Sequence, residues 1–173
     1  PVFVTRDDPA RRVVHLEAGL PIRDVGDLGL QSDEVVRRYA TREARVRLHQ
    51  HRFRQLVLGA YGGRCAVCAL RESSLLQAAH IIEDRDPAGA AAVVNGIALC
   101  AIHHLAYDRN VMGIDPDGVV HIASRLLDEV DGPMLRTGLQ SFHGQAIALP
   151  RRRADRPDPE RLEIRFDQFR AAS

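Results

Sequence analysis

The sequence predicts an α+β fold organised on a small, zinc-clamped ββα unit with flanking helices and β-hairpins. Three observations predict it. All three cysteines of the 173-residue chain fall in two short knuckles, Cys65-x-x-Cys68 and Cys100-x-x-His103. At that spacing two tight turns each present two ligands to a tetrahedral zinc ion, and the intervening chain folds back as a loop. Two strand-like runs and then a helical one follow the first knuckle, a unit too small to bury much apolar area, which is the physical reason for a metal clamp. Elsewhere period-two alternation marks hairpins and a 3.6-residue period marks helices.

Taken in order, Pro1 to Ala18 reads as two short strands, PVFVT and RRVVHLE, around the turn DDPA, in which proline sets φ and aspartates bond the local backbone. These strands have no core of their own. The chain also opens on Pro1 in strand-like sequence, so residues 1–31 are expected to be a hairpin and linker ending an upstream region. Residues 32–173 are expected to form the main domain, with its core at 53–123 and a helical C-terminal extension. Ala18 to Gln31 reads as a loop. Ser32 is the expected N-cap of a helix running to about His49, with Asp33 and Glu34 in the first turn, where the helix dipole favours them. A second helix, roughly Phe53 to Tyr61, is expected to bury Phe53, Leu56, Val57 and Ala60 and to stop at Gly62-Gly63.

Leu75 to Ile82 reads as a strand, Glu83 to Val94 as a polar, proline- and alanine-rich loop, and Ile97 to Cys100 as the partner strand. A helix from Ala101 to about Arg109 completes the ββα unit. Val111 to Ala123 is a hairpin about DPDG. Gly132 to His143 fits one amphipathic helix, with Met134, Leu135, Leu139 and Phe142 at helical spacing. After a strand-like QAIAL and the basic stretch RRRADR, Asp158 is the expected cap of a last helix. Pro159 there has no amide hydrogen to lose, and Leu162, Phe166 and Phe169 line the buried face.

Composition narrows the class. Apolar residues make up 45% and charged residues 27%, and no run approaches the ~18 apolar residues of a membrane span. A cytoplasmic protein with no membrane partner is expected. Three cysteines in metal spacing argue against a disulfide framework. The net charge of +1 does not speak for nucleic acid, but all 24 basic residues are arginine, which suits bidentate phosphate and guanine contacts. Between Arg37 and Arg54 seven arginines face a single acid, Glu43. A solvated helix face and a phosphate-contacting face both stand open for this run. The triplet Arg151 to Arg153 reads as a solvated or linker segment.

Once the zinc ligands are set aside, His80, Asn95, His104 and Asp108 remain. On a helix, His103 and His104 point about 100° apart, so one metal does not take both. His104 and Asp108 lie one turn apart on a shared face and could hold a divalent cation with open coordination positions.

The order His80 in AAHII, Asn95 in NGIALC, then His104 and Asp108, enclosed by the CxxC and CxxH pairs, resembles the HNH (ββα-metal) endonuclease superfamily. The resemblance implies that His80 is the general base, that Asn95 holds the loop orienting it, and that His104 is a metal ligand, with Asp108 at a position where many members place another. Ala79 departs from the pattern, since many relatives carry a metal-binding acid or histidine there. Either two protein ligands plus water and phosphate oxygens hold the metal, or an acid such as Glu83 substitutes.

By this resemblance the chain is expected to hydrolyse phosphodiester bonds in double-stranded DNA, with a structural Zn²⁺ at Cys65, Cys68, Cys100 and His103 and a catalytic Mg²⁺, Mn²⁺ or Ni²⁺ at His104 and Asp108. His80, as a neutral imidazole, would take the proton from water. The cation would stabilise the phosphorane and the leaving oxyanion. Arg42, Arg45, Arg52, Arg54, Arg85 and Arg109 are the candidate DNA contacts, and a second copy of the chain is a candidate partner. The region from about Arg42 onward also resembles the catalytic halves of bacterial HNH restriction endonucleases, which implies restriction of foreign or modified DNA. Two rivals stand beside it: a zinc-stabilised DNA-binding module whose nuclease site has decayed, and an HNH nuclease of recombination or packaging.

Overall fold

The computed structural model describes residues 2–8, 13–18, 48–83, 89 and 91–173. The chain divides into two units, Pro1–Ala44 and Arg45–Ser173. In the first, β1 (Val2–Asp8) pairs antiparallel with β2 (Val13–Ala18), and the register shifts between Val4 and Arg6, leaving Thr5 as the extra residue of a bulge. Asp7 and Asp8, expected in the turn, belong to the strand. Their partners are Val14 and Val13. The helix expected from Ser32 falls mostly outside the described residues.

Among the described residues of the second unit the first element is a helix, α1, seen over 48–60. It runs unbroken through His49 to Phe53, where a boundary between two helices was expected, because that stretch holds no glycine or proline. Phe53 and Val57, one turn apart, are buried; Leu56, expected beside them, is 47% exposed. Gly62 and Gly63 end the helix with φ near +63° and +62°, and the Gly63 amide donates to the Leu58 carbonyl at 2.9 Å. The Arg54 guanidinium donates to the Ser73 and Leu76 carbonyls, both at 2.9 Å, and so ties α1 to the start of the next strand.

That strand, β3 (Leu76–His80), pairs antiparallel with β4 (Gly96–Cys100), in a register running from Leu76 opposite Cys100 to His80 opposite Gly96. The helix α2 (Ala101–Asp108) follows β4 without a linker. A side chain at position 96 would meet Val57 Cγ2 at 2.4 Å and Phe53 Cζ at 2.9 Å, so α1 rests directly on the backbone there. The residue paired with Gly96 is therefore pressed against the same helix: the His80 ring stacks on Phe53, with centroids 4.0 Å apart and planes 11° from parallel.

Beyond α2, β5 (Met112–Ile114) and β6 (Val120–Ile122) form the hairpin read from the sequence. Asp115 Oδ1 accepts from the Asp117 and Val119 amides and sets its turn. A short helix α3 (Ser124–Leu127) follows. The single helix expected over Gly132 to His143 is instead α4 (Pro133–Gly138) and a separate 3₁₀ turn, Gln140–Phe142, with Leu139 at φ −135° breaking them apart. QAIAL forms no strand; it contributes one isolated bridge, Val119 to Ala146. The last helix, α5 (Pro159–Ala172), is capped by Asp158, whose side chain accepts from the Glu160 amide at 2.9 Å. Leu162 and Phe169 are buried. So is Arg165, which lies 4.5 Å over the Tyr107 ring and donates to the Tyr107 carbonyl and to Asn110 Oδ1. Through these contacts α5 fixes the C-terminal end of α2, where Asp108 sits.

Candidate functional site

The two knuckles converge as their spacing predicts. One donor atom from each of Cys65, Cys68, Cys100 and His103 lies within 4.8 Å of every other. Cys68 Sγ to Cys100 Sγ is 3.9 Å, Cys65 Sγ to His103 Nδ1 is 3.6 Å and Cys100 Sγ to His103 Nδ1 is 3.1 Å. With Zn–S near 2.3 Å and Zn–N near 2.0 Å, tetrahedral geometry places such atoms about 3.5 to 3.8 Å apart. The donor set fits zinc. The Cys65 thiol is held below its ordinary range, chiefly by a hydrogen bond from Cys100, whose own thiol is pushed up by giving that bond, while burial pushes Cys68 up. Three touching thiols resist joint ionisation unless a cation sits among them.

The clamp has an outer support that sequence reading missed. The second ring nitrogen of His103, Nε2, lies 2.9 Å from the Gly138 carbonyl, and Phe142 meets the ring edge-on at 5.2 Å. A hydrogen bond there leaves Nδ1 as the metal-facing atom. The break between α4 and the 3₁₀ turn frees that carbonyl from the helix ladder, and a single glycine in a helical pattern was the one available signal.

His104 turns the other way. His103 is 2% exposed, whereas His104 is half-buried and faces β3 and its own helix. Its Nδ1 lies 2.5 Å from Gln77 Oε1, and its Nε2 lies 3.3 Å from Asp108 Oδ2, one turn on. Asp108 is more than half exposed. Gln77 was not singled out by sequence, and a lone glutamine in a strand carries no motif. Ala79 is fully buried in the core and offers no donor atom, and Glu83 is exposed. Among the described residues, the Cys65, Cys68, Cys100 and His103 set is the one group of three or more metal-capable side chains.

At the end of β3, His80 is half-buried with its Nε2 edge inaccessible to solvent. Asn95 is wholly buried beside it. Its Oδ1 accepts from the Ile82 amide and its Nδ2 donates to the Ile82 carbonyl, both at 2.9 Å, while its own carbonyl accepts from the Ile81 amide at 2.9 Å. The two residues after His80 are thus fastened on three sides by one asparagine. Of the arginines read as DNA contacts, Arg52 and Arg109 are exposed, while Arg54 is committed to bracing β3, and Arg42, Arg45 and Arg85 lie outside the described residues.

A hairpin crossed by a helix that sends one histidine into a cysteine clamp and the next toward a carboxylate has the architecture of a ββα-metal domain. Residues 65–115 match the family model described as HNH endonuclease. No curated protein matches the chain. Among solved structures it is similar to a "Modification dependent TagI restriction endonuclease", at 19% identity and a TM-score of 0.46, over 68% of this chain and 37% of that one. The chain thus spans little more than a third of the length of that protein.

Proposed function

We propose that this chain is a metal-dependent DNA endonuclease that hydrolyses phosphodiester bonds with His80 as general base, and that its role is restriction of foreign or modified DNA. The observation that carries the reading is the divergence of the two neighbouring imidazoles. His103 closes a Cys₃His set, and His104 faces Asp108 with one side open. A closed four-donor site is what a structural ion needs, and an open one is what a catalytic ion needs.

His80 takes the proton from the attacking water. Phe53 holds the plane of the ring, and Asn95 holds the backbone behind it, so the ring meets the water in a fixed geometry. His104 and Asp108 would hold a divalent cation through one nitrogen and one oxygen; hard oxygen ligation suits Mg²⁺ or Mn²⁺, while the imidazole also admits Ni²⁺. When bound, such an ion supplies Lewis acidity and charge stabilisation at the scissile phosphate and leaving oxygen. Arg52 and Arg109 are free to meet the DNA backbone, contacts that position the duplex without reading its sequence.

The test is plasmid cleavage by the protein on modified and unmodified DNA with Mg²⁺, Mn²⁺ or Ni²⁺. The reading expects metal-dependent nicking that His80→Ala abolishes while DNA binding persists. Ala79 favours a second reading, a zinc-stabilised DNA-binding module with a decayed site. Binding of DNA with no cleavage under any of the three metals would select it.

A further inference from the structure

Ala79 leaves the open site one protein ligand short of the pattern, and the residue two positions earlier answers that shortfall. Side chains alternate along a strand, so Gln77 and Ala79 project from the same face of β3. Ala79 offers only a methyl group. Gln77 reaches His104 of α2, its Oε1 lying 2.5 Å from Nδ1. An amide oxygen can only accept, so Nδ1 carries the proton and the lone pair of the neutral ring lies on Nε2. That atom faces Asp108 Oδ2 at 3.3 Å. Two lone-pair atoms at such a separation repel unless a proton or a cation lies between them. Neighbouring ligands of an octahedral ion with bonds near 2.1 Å are about 3.0 Å apart, close to the distance found. Gln77 itself stands on the far edge of the ring from Asp108.

We infer that Gln77 is a positioning residue for the divalent cation: it holds His104 with Nδ1 protonated and Nε2 turned to Asp108, and this preorganisation replaces the ligand that position 79 lacks. The inference rests on the assignment of His104 and Asp108 to the cation. It explains how two protein ligands suffice. A ring free to rotate or to exchange tautomers would present Nε2 to the ion only part of the time.

The test compares zinc-loaded wild type, Gln77→Leu, Gln77→Glu, His104→Ala and Asp108→Ala. Three readouts are taken: Mn²⁺ affinity by titration followed in electron paramagnetic resonance, the ¹⁵N shifts of the His104 ring without Mn²⁺, and zinc content with thermal midpoint. Gln77→Leu keeps the bulk and loses the acceptor, so its Mn²⁺ affinity is expected to fall about 10- to 100-fold, with the ring passing to a mixture of tautomers. Gln77→Glu keeps an acceptor and is expected to restore both. Zinc content and thermal midpoint stay at wild-type values throughout. Wild-type affinity and an unchanged tautomer in Gln77→Leu, with affinity lost in His104→Ala and Asp108→Ala, would overturn the inference and leave the site standing. Unchanged affinity in those last two variants would overturn the site and the inference together. Loss of zinc or of thermal stability in Gln77→Leu that Gln77→Glu does not restore would make Gln77 structural and overturn it as well.

Discussion

Two neighbouring residues on one helix, His103 and His104, sit in environments that differ in almost every respect. The first is buried among three cysteines, with its far nitrogen held by the Gly138 carbonyl and its edge against Phe142. The second is half-buried, with its nitrogens against Gln77 and Asp108 and its carboxylate partner largely in solvent. The 100° step of a helix is enough to separate them. What the difference teaches, on the proposed reading, is that one short helix closes a structural site on one side and holds open a working site on the other. The structural set fixes the strand and helix, and with them the geometry of the open set.

The comparison breaks most violently at the clamp. Cys100→Ser, or removal of zinc by a strong chelator, is expected to unfold the ββα unit, since structural zinc contributes on the order of 10 kcal/mol in small domains. Far-UV circular dichroism with elemental zinc analysis checks this. Asp108→Ala should leave both signals unchanged. If Asp108→Ala unfolds the protein or Cys100→Ser does not, the division of labour between the two sites is wrong.

His80→Ala is expected to lower plasmid nicking by roughly 10²- to 10⁴-fold, the range for a lost general base, with zinc content and melting temperature intact. Asn95→Ala comes next. It strands the buried amide and carbonyl of Ile82, each costing ~1–3 kcal/mol, so the melting temperature and the nicking rate should fall together. A variant that melts normally yet fails to cleave would give Asn95 a direct role in the chemistry. The arginines sharpen the contrast at the small end. Arg54→Ala is expected to cost about 1–3 kcal/mol of stability through its two carbonyl contacts, measured by denaturant unfolding. Arg52→Ala should leave stability alone, weaken DNA binding and lower the salt slope by about 1.

The ββα unit was legible in the sequence almost to the residue, because metal spacing and strand alternation are local signals. Leu76–His80, Gly96–Cys100 and Ala101–Asp108 fall within a residue or two of the expected bounds. The buried stripe of α5 was legible for the same reason. What escaped depends on contacts made at long range. The helix over 132–143 is broken at Leu139, where the preceding carbonyl turns to His103, and no periodicity records that exchange. Arg54 looked like part of a basic face, and only the packing of α1 shows it bracing β3. Gln77 was invisible because its partner lies on another element, 27 residues further along the chain.

The central claim, that His103 and His104 serve separate ions, is tested most directly by a crystal structure of zinc-loaded protein soaked in Mn²⁺, with anomalous scattering recorded at both metal edges. The account predicts a zinc peak among Cys65, Cys68, Cys100 and His103 and a distinct manganese peak on His104 and Asp108. A single peak bound by both imidazoles would contradict it.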